Sequence, residues 1–299
     1  MKLKDIYIPG NFNISYEIFP PKGENTELNQ KIQLLFEELA VLAKHNPAFI
    51  SVTYGAGGST REKTLELVLK IKNELGIKSV PHFTCVGSSK EEILDYLKII
   101  EKENIKDVLA LRGDPPKGEK EFIKPENGFR YANELVEFIK HNINIGIAVA
   151  GYPEGHQESV SLDNDIVNLK KKIDAGADLI ITQLFFDNSK FFNFLEKIWK
   201  AGINVPVIPG ILPAISLTQL EKVILFSNAT LPEKLVKKLA KFENDPEAMK
   251  KAGIEYTIEQ CKELKTNNVC GIHFYTFNKA FAVNQIVKEM NIEPQPNFI

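Results

Sequence analysis

Three features of the sequence predict an α/β fold, a (β/α)8 TIM-type barrel with extra helices between strands seven and eight. β-rich runs alternate with helical stretches along the chain, the pattern of a parallel sheet. There are eight such runs, a number that favours closure into a barrel. The open alternative, a doubly wound sheet, would carry G-x-G-x-x-G after an early strand. The nearest candidate, Gly55-Ala-Gly-Gly-Ser-Thr60, has threonine where the third glycine belongs. The 299 residues, 43% of them hydrophobic, suffice for one large core, read as one barrel domain over residues 1–299.

The first strand runs from Asn13 to Phe19 and is closed by Pro20 and Pro21, which cannot extend a ladder; a helix from Leu28 to Lys44 follows. Strand two, Phe49 to Tyr54, leads through a glycine loop into a helix from Thr60 to Leu75, with Ser59 and Glu62 at capping-box spacing. Strand three is Ser79 to Cys85, and its helix runs from Ser89 to Glu103. Strand four, Val108 to Leu111, ends in Arg112-Gly113-Asp114 and two prolines, before a helix from Tyr131 to His141. Strands five and six, Ile145 to Tyr152 and Leu179 to Phe186, precede helices over Leu162 to Ala175 and Lys190 to Ala201. Strand seven is Val205 to Ile211, strand eight Val269 to Phe277, and the last helix runs from Lys279 to Met290. Between strands seven and eight, Leu212 to Asn268 is about twice the length a simple repeat needs. Leu217 to Phe226, Pro232 to Phe242 and Pro246 to Lys265 read as helices there, with Asp245-Pro246 a matched N-cap and first-turn pair.

The net charge of −2 argues against nucleic-acid or membrane-surface partners, which usually need a basic excess. The three cysteines, Cys85, Cys261 and Cys270, have neither metal-ligand nor C-x-x-C spacing, so free thiols in a reducing cytoplasm are expected. Met1 to Gly10 lacks a signal-peptide core, and no window reaches membrane-span length.

In such a barrel, chemistry sits at the C-terminal ends of the strands. Those ends carry Glu17, Thr53, His82, Arg112, Asp114, Tyr152, Gln183 and Tyr275, a set that points to a polar ligand site. Arg112 is one of only three arginines, and its planar fork suits phosphate or carboxylate, although a strand-end ion pair explains it equally well. Glu17 lies in Ser-Tyr-Glu-Ile-Phe-Pro-Pro with no cationic neighbour in sequence, which disfavours its charged form and suits a general acid. The alternative is a carboxylate paired with a lysine from a neighbouring strand or loop. Asp165, Asn168 and Lys172 fall on one face of their helix, either a solvated stripe or a strip beside the barrel mouth; spacing leaves both open.

The motifs together resemble one family, the methylenetetrahydrofolate reductases. They are Tyr-Glu17-Ile-Phe-Pro-Pro, Ser-Val-Thr53-Tyr-Gly-Ala, Pro-His82-Phe-Thr-Cys, Leu-Ala-Leu-Arg112-Gly-Asp114, Tyr152-Pro-Glu-Gly-His156, Ile-Ile-Thr-Gln183-Leu-Phe-Phe-Asp and His-Phe-Tyr275-Thr-Phe-Asn, in the family's order and spanning about residues 13 to 290. The resemblance implies the short bacterial form, a homo-oligomer in which NADH or NADPH reduces FAD and FAD reduces 5,10-methylenetetrahydrofolate at the same flavin face. It implies Glu17 as the general acid that opens the imidazolidine ring, and Asp114 as the aspartate beside flavin and pterin. The implied FAD contacts are Thr53, Tyr54, Ala56, His82, Arg112, Gly113 and Asp114, continuing with Tyr131, Ala132, Tyr152, His156, Asp165, Asn168 and Lys172. The implied folate contacts are Glu17, Thr53, Asp114, Gln183, Tyr275 and Lys279. No metal is implied.

Two positions depart from the family pattern. Lys279 stands where arginine is frequent, and Val223 stands where a phenylalanine packs on substrate, with Phe226 nearby at helical spacing. Three rival readings stand beside it: another flavin barrel of the proline-dehydrogenase kind, a non-catalytic flavin- or folate-binding protein, and a cofactor-free aldolase-type barrel, which would need a Schiff-base lysine that no strand tip carries. The sequence leaves open whether NADH, NADPH or an electron-supplying protein is the donor.

Overall fold

The computed structural model describes residues 1–54, 61–114 and 122–292, with backbone only for Arg61 and Glu62. The capping box at Ser59 and Glu62, the glycine loop with Ala56, and Pro115-Pro116 therefore lie outside the described residues or side chains. Eight parallel strands close in sequence order into a barrel. They are β1 (Asn13–Ile18), β2 (Phe49–Val52), β3 (Ser79–Thr84), β4 (Asp107–Leu111), β5 (Gly146–Gly151), β6 (Leu179–Leu184), β7 (Val207–Ile211) and β8 (Gly271–Tyr275). The helices are α1 (Leu3–Ile6), α2 (Asn25–Ala43), α3 (Arg61–Lys70), α4 (Lys90–Lys102), α5 (Ala132–Asn142) and α6 (Leu162–Asp174), then α7 (Asn188–Lys200), α8 (Leu217–Ser227), α9 (Glu233–Ala240), α10 (Pro246–Thr266) and α11 (Phe281–Glu289).

Alternation along the strands explains the two layers of core. Outward residues such as Ile14, Tyr16, Val108, Ile147 and Phe274 pack against the helices. Inward residues Val80, Leu109, Ala148, Leu179 and Ile208 fill the lower barrel together with Leu3, Ile6 and Tyr7. Those last three belong to α1 and its end, an element whose apolar pattern is too brief to stand out in the sequence. Asp107, at the start of β4, ties α1 down: it accepts from the Leu3 amide at 2.8 Å and pairs with Lys78 at 3.0 Å. One end of the arginine-bearing strand is thus structural.

The helix expected to run to Leu75 is α-helical to Lys70, then forms a π turn over Ile71–Leu75 that stops at left-handed Gly76. Strand five ends at Gly151, so Tyr152 begins the loop. The three inserted helices form as expected, with Asp245 accepting from the Ala248 amide. They are tied to the barrel mouth. An added Cβ at Gly253 would lie 1.7 Å from the Ala214 carbonyl, so α10 rests directly on the segment leaving β7. Tyr256 and Gln260 of α10 donate to the carbonyls of Phe186 and Phe185 after β6.

Candidate active site

Glu17 is the penultimate residue of β1 and is buried, 8% exposed. Its backbone carbonyl accepts from the Thr276 hydroxyl at 2.7 Å, which fixes the strand tip against the segment leaving β8. Among the described residues no lysine or arginine pairs with its carboxyl. Its nearest charged-type neighbour is His82, whose Nε2 lies 3.5 Å from Oε2, beyond ordinary hydrogen-bond length. Burial alone lifts the Glu17 carboxyl to about 8 and drops the His82 imidazole to about 3. Near neutral pH the pair is therefore a protonated acid beside a neutral imidazole. His82 Nε2 and Thr84 Oγ1 are buried without a hydrogen-bond partner among the described residues.

The second half of the site lies between the ends of β4, β5 and α6. A cleft of about 390 Å³ is lined by Arg112, Tyr131, Ala132 and Tyr152, and by His156, Asp165, Asn168 and Lys172. Eight residues assigned to the flavin by resemblance thus share one cavity. Arg112 does not pair with Asp114. Its guanidinium forks onto Glu158 of the loop after β5, with Nη1–Oε2 at 2.5 Å and Nη2–Oε1 at 2.6 Å. Gly113 takes φ +88°, and an added Cβ would sit 2.8 Å from Val86 Cγ1. Only glycine fits between Arg112 and Asp114 without displacing them. Asp114 is exposed.

Along the stripe on α6, Asp165 is buried and Lys172 half-buried, while Asn168 is exposed. Lys172 Nζ donates to the Ala150 carbonyl at 2.6 Å, and burial lowers its ammonium to about 8. Asp165 is buried and accepts from Ser159; burial raises its carboxyl, while Lys172 opposes the rise. Tyr152 packs edge-on to His156 at 4.8 Å and beneath the Lys172 ammonium.

Tyr275 links the two halves. Burial, followed by the charges of Glu17 and Tyr152, raises its hydroxyl well above 10. That hydroxyl donates to the Thr182 carbonyl at 2.7 Å, across Gly210, where an added Cβ would lie 2.6 Å from the Tyr275 ring. The β6–β7 register shifts between Ile181 and Leu184, a local bulge that sets the aim of Gln183. Gln183 Oε1 meanwhile accepts from the Leu184 amide. Thr53 continues the β1–β2 ladder by donating its amide to the Ile18 carbonyl, and Tyr54 follows it half-buried.

Lys279 stands apart from this arrangement: it is 77% exposed and pairs with Glu38 of α2 at 3.2 Å. Val223 is buried in the cluster of the inserted helices, whereas Phe226 is exposed. Two residues went unrecognised in the sequence. Glu158 lies in a loop with no periodic signal. His273 stands inside a family motif with no role attached to it, although a histidine at an inward strand position is itself a signal.

The fold and site define a (β/α)8 barrel with a buried carboxyl at the tip of β1 and a polar cleft lined by Arg112 and Lys172 at its C-terminal mouth. The family model for methylenetetrahydrofolate reductase matches residues 2–291. The chain is 34% identical to the 5,10-methylenetetrahydrofolate reductase of Escherichia coli (strain K12) over 287 residues, 96% of this chain and 93% of that one. Methylenetetrahydrofolate reductase (NADH) 1 of Arabidopsis thaliana is 37% identical over 288 residues, 93% of this chain and 48% of that protein. The chain thus spans about half the length of its plant relatives. Among solved structures, an uncharacterized protein from Clostridium thermocellum that binds two copies of 5-methyl-5,6,7,8-tetrahydrofolic acid shares the fold. It has a TM-score of 0.61 and 15% identity, covering 97% of this chain and 99% of that one. The chain belongs to the methylenetetrahydrofolate reductase family. Among the described residues no helix is long and apolar enough to cross a membrane, and no group of metal-ligating side chains occurs.

Proposed function

We propose that this chain reduces 5,10-methylenetetrahydrofolate to 5-methyltetrahydrofolate with electrons from NADH or NADPH, using FAD bound in the cleft between β4, β5 and α6. The observation that carries the reading is Glu17, a buried carboxyl that keeps its proton near neutral pH at the tip of β1. When bound, FAD would supply the hydride relay between the two substrates. The residues present fit such a group. Arg112 offers a fork and Lys172 a partly desolvated ammonium for a diphosphate, and Tyr131, 50% exposed, offers a ring face at the rim. His82 Nε2 and Thr84 Oγ1, buried without partners among the described residues, supply further polar contacts near the mouth.

The chain's own work is then positional and protonic. Glu17 holds the proton that the departing folate nitrogen needs before the ring can open to an iminium ion. Asp114 and Gln183 present acceptors and donors to a pterin edge, and Tyr275 closes the apolar wall beside Glu17. The purified protein should be yellow or become so with FAD. NADH should bleach it without oxygen, and methylenetetrahydrofolate should restore the colour. Glu17→Gln should still bleach but fail to recover. A protein that takes up no FAD, or a Glu17→Gln variant that recovers normally, sinks the assignment.

A further inference from the structure

His273 is fully buried at the centre of β8 and faces into the barrel. Its two ring nitrogens are both engaged: Nδ1 lies 2.8 Å from Ser15 Oγ on β1 and Nε2 lies 3.3 Å from Ser51 Oγ on β2. Burial first, and the nearby His82 second, lower its imidazole to about 3, so the ring is neutral, with one nitrogen donating and the other accepting. Phe49 stacks on the ring at 5.3 Å and locks its plane. Three strands are thereby joined through one side chain, in a place where most inward residues are apolar.

What lies two residues further along each strand gives this arrangement its meaning. Side chains two apart share a face, so Ser15 is followed by Glu17, Ser51 by Thr53, and His273 by Tyr275. All three followers are among the folate contacts that the resemblance implies, Thr53 being an implied flavin contact as well. None of the residues lining the β4–β5–α6 cleft stands on β1, β2 or β8.

We propose that His273, with Ser15 and Ser51, is a positioning residue for the folate half of the reaction: it holds the tips of β1, β2 and β8 at fixed spacing, and so holds the Glu17 carboxyl in its buried seat. The inference rests on the reading of Glu17 as the proton donor. It separates the barrel into two independently supported halves, one serving proton delivery and one serving cofactor retention. Loosening the tie lets the β1 tip move and water reach Glu17, which stabilises the ionised carboxylate. The titratable groups facing Glu17 are His82 from β3 and Tyr275 from β8, with His273 beyond them; β2 contributes only hydroxyls.

The test uses the purified protein with Ser15→Ala, which removes the tie on the strand that carries Glu17. His273→Leu leaves two buried hydroxyls unpaired and is informative only if it folds, so Ser15→Ala is the deciding variant. The Glu17 ionisation midpoint is read by carboxyl-carbon NMR, with the resonance assigned by its loss in Glu17→Gln. Expected is a midpoint about 1 pH unit lower in Ser15→Ala. The folate-driven recolouring step should slow about tenfold at saturating folate, while FAD affinity and NADH bleaching hardly change. An unmoved midpoint, or equal slowing of both half-reactions with a lower melting temperature, reduces His273 to a packing residue and overturns the proposal. Failure of the underlying reading shows separately, as Glu17→Gln that still reduces folate, and the NMR midpoint decides the positioning claim in either case.

Discussion

Glu17→Gln should make the protein more stable, and by an amount that grows with pH. In the unfolded chain the carboxyl ionises near 4.5; in the folded chain it holds its proton to about 8. Below pH 4.5 both states are protonated and the group costs nothing. Between 4.5 and 8 the unfolded chain is ionised and the native chain is not, so native stability falls by about 1.4 kcal/mol per pH unit. Above 8 the loss levels off at about 5 kcal/mol. Glutamine keeps the shape and cannot ionise, so it removes this slope. From pH 5 to pH 8 the stability gap between variant and wild type should widen by about 4 kcal/mol. For a chain of this size that corresponds to about 8 °C in thermal midpoint. The assay is a pair of melting curves at each of four or five pH values, with FAD held at one concentration. A gap that stays constant, or widens toward acid, refutes the argument that burial without a partner governs this carboxyl. The same property that makes Glu17 a proton donor at neutral pH thus makes it a liability to the fold.

Three further outcomes follow from the cleft. Arg112→Lys keeps the charge and loses the fork, so FAD affinity measured by quenching of flavin fluorescence should fall about tenfold or more, the worth of one charge-assisted hydrogen bond. Glu158→Gln releases the Arg112 fork from its exposed partner (56% exposed) and should tighten FAD binding by up to about fivefold; weaker binding would mean that Glu158 holds the arginine in place for its ligand. Because Lys172 loses its proton near 8, FAD affinity should decline as pH rises through 8, by up to about tenfold per pH unit, and Lys172→Gln should flatten that decline.

The sequence made the barrel legible because each β-rich run is short, apolar and bounded by glycine, proline or a helix cap, and the count of eight leaves little alternative. It was less legible where one face had two explanations. The stripe Asp165, Asn168, Lys172 has the spacing of any solvated helix face; only the contact between Lys172 and the Ala150 carbonyl shows that it turns toward β5. Arg112 was similarly ambiguous. Its ion pair does exist, but with Glu158, 46 positions away and in a loop, where periodicity carries no information. Helix α1 is four residues long, too short for any helical period to register.

His273 shows what period-two alternation can disclose when it is applied to polar residues. Glu17, Thr53 and Tyr275 stand out because they lie at strand ends. Ser15, Ser51 and His273 stand one inward position earlier, where a barrel normally places apolar side chains. A lone polar residue there has to find a partner or lose stability. Three of them on adjacent strands, β8, β1 and β2, have one another within reach, because strand order is fixed once the barrel closes. The inward polar positions of neighbouring strands can therefore be paired from strand order and alternation alone. In this chain that pairing leads from the middle of the barrel to the residues around the proton donor.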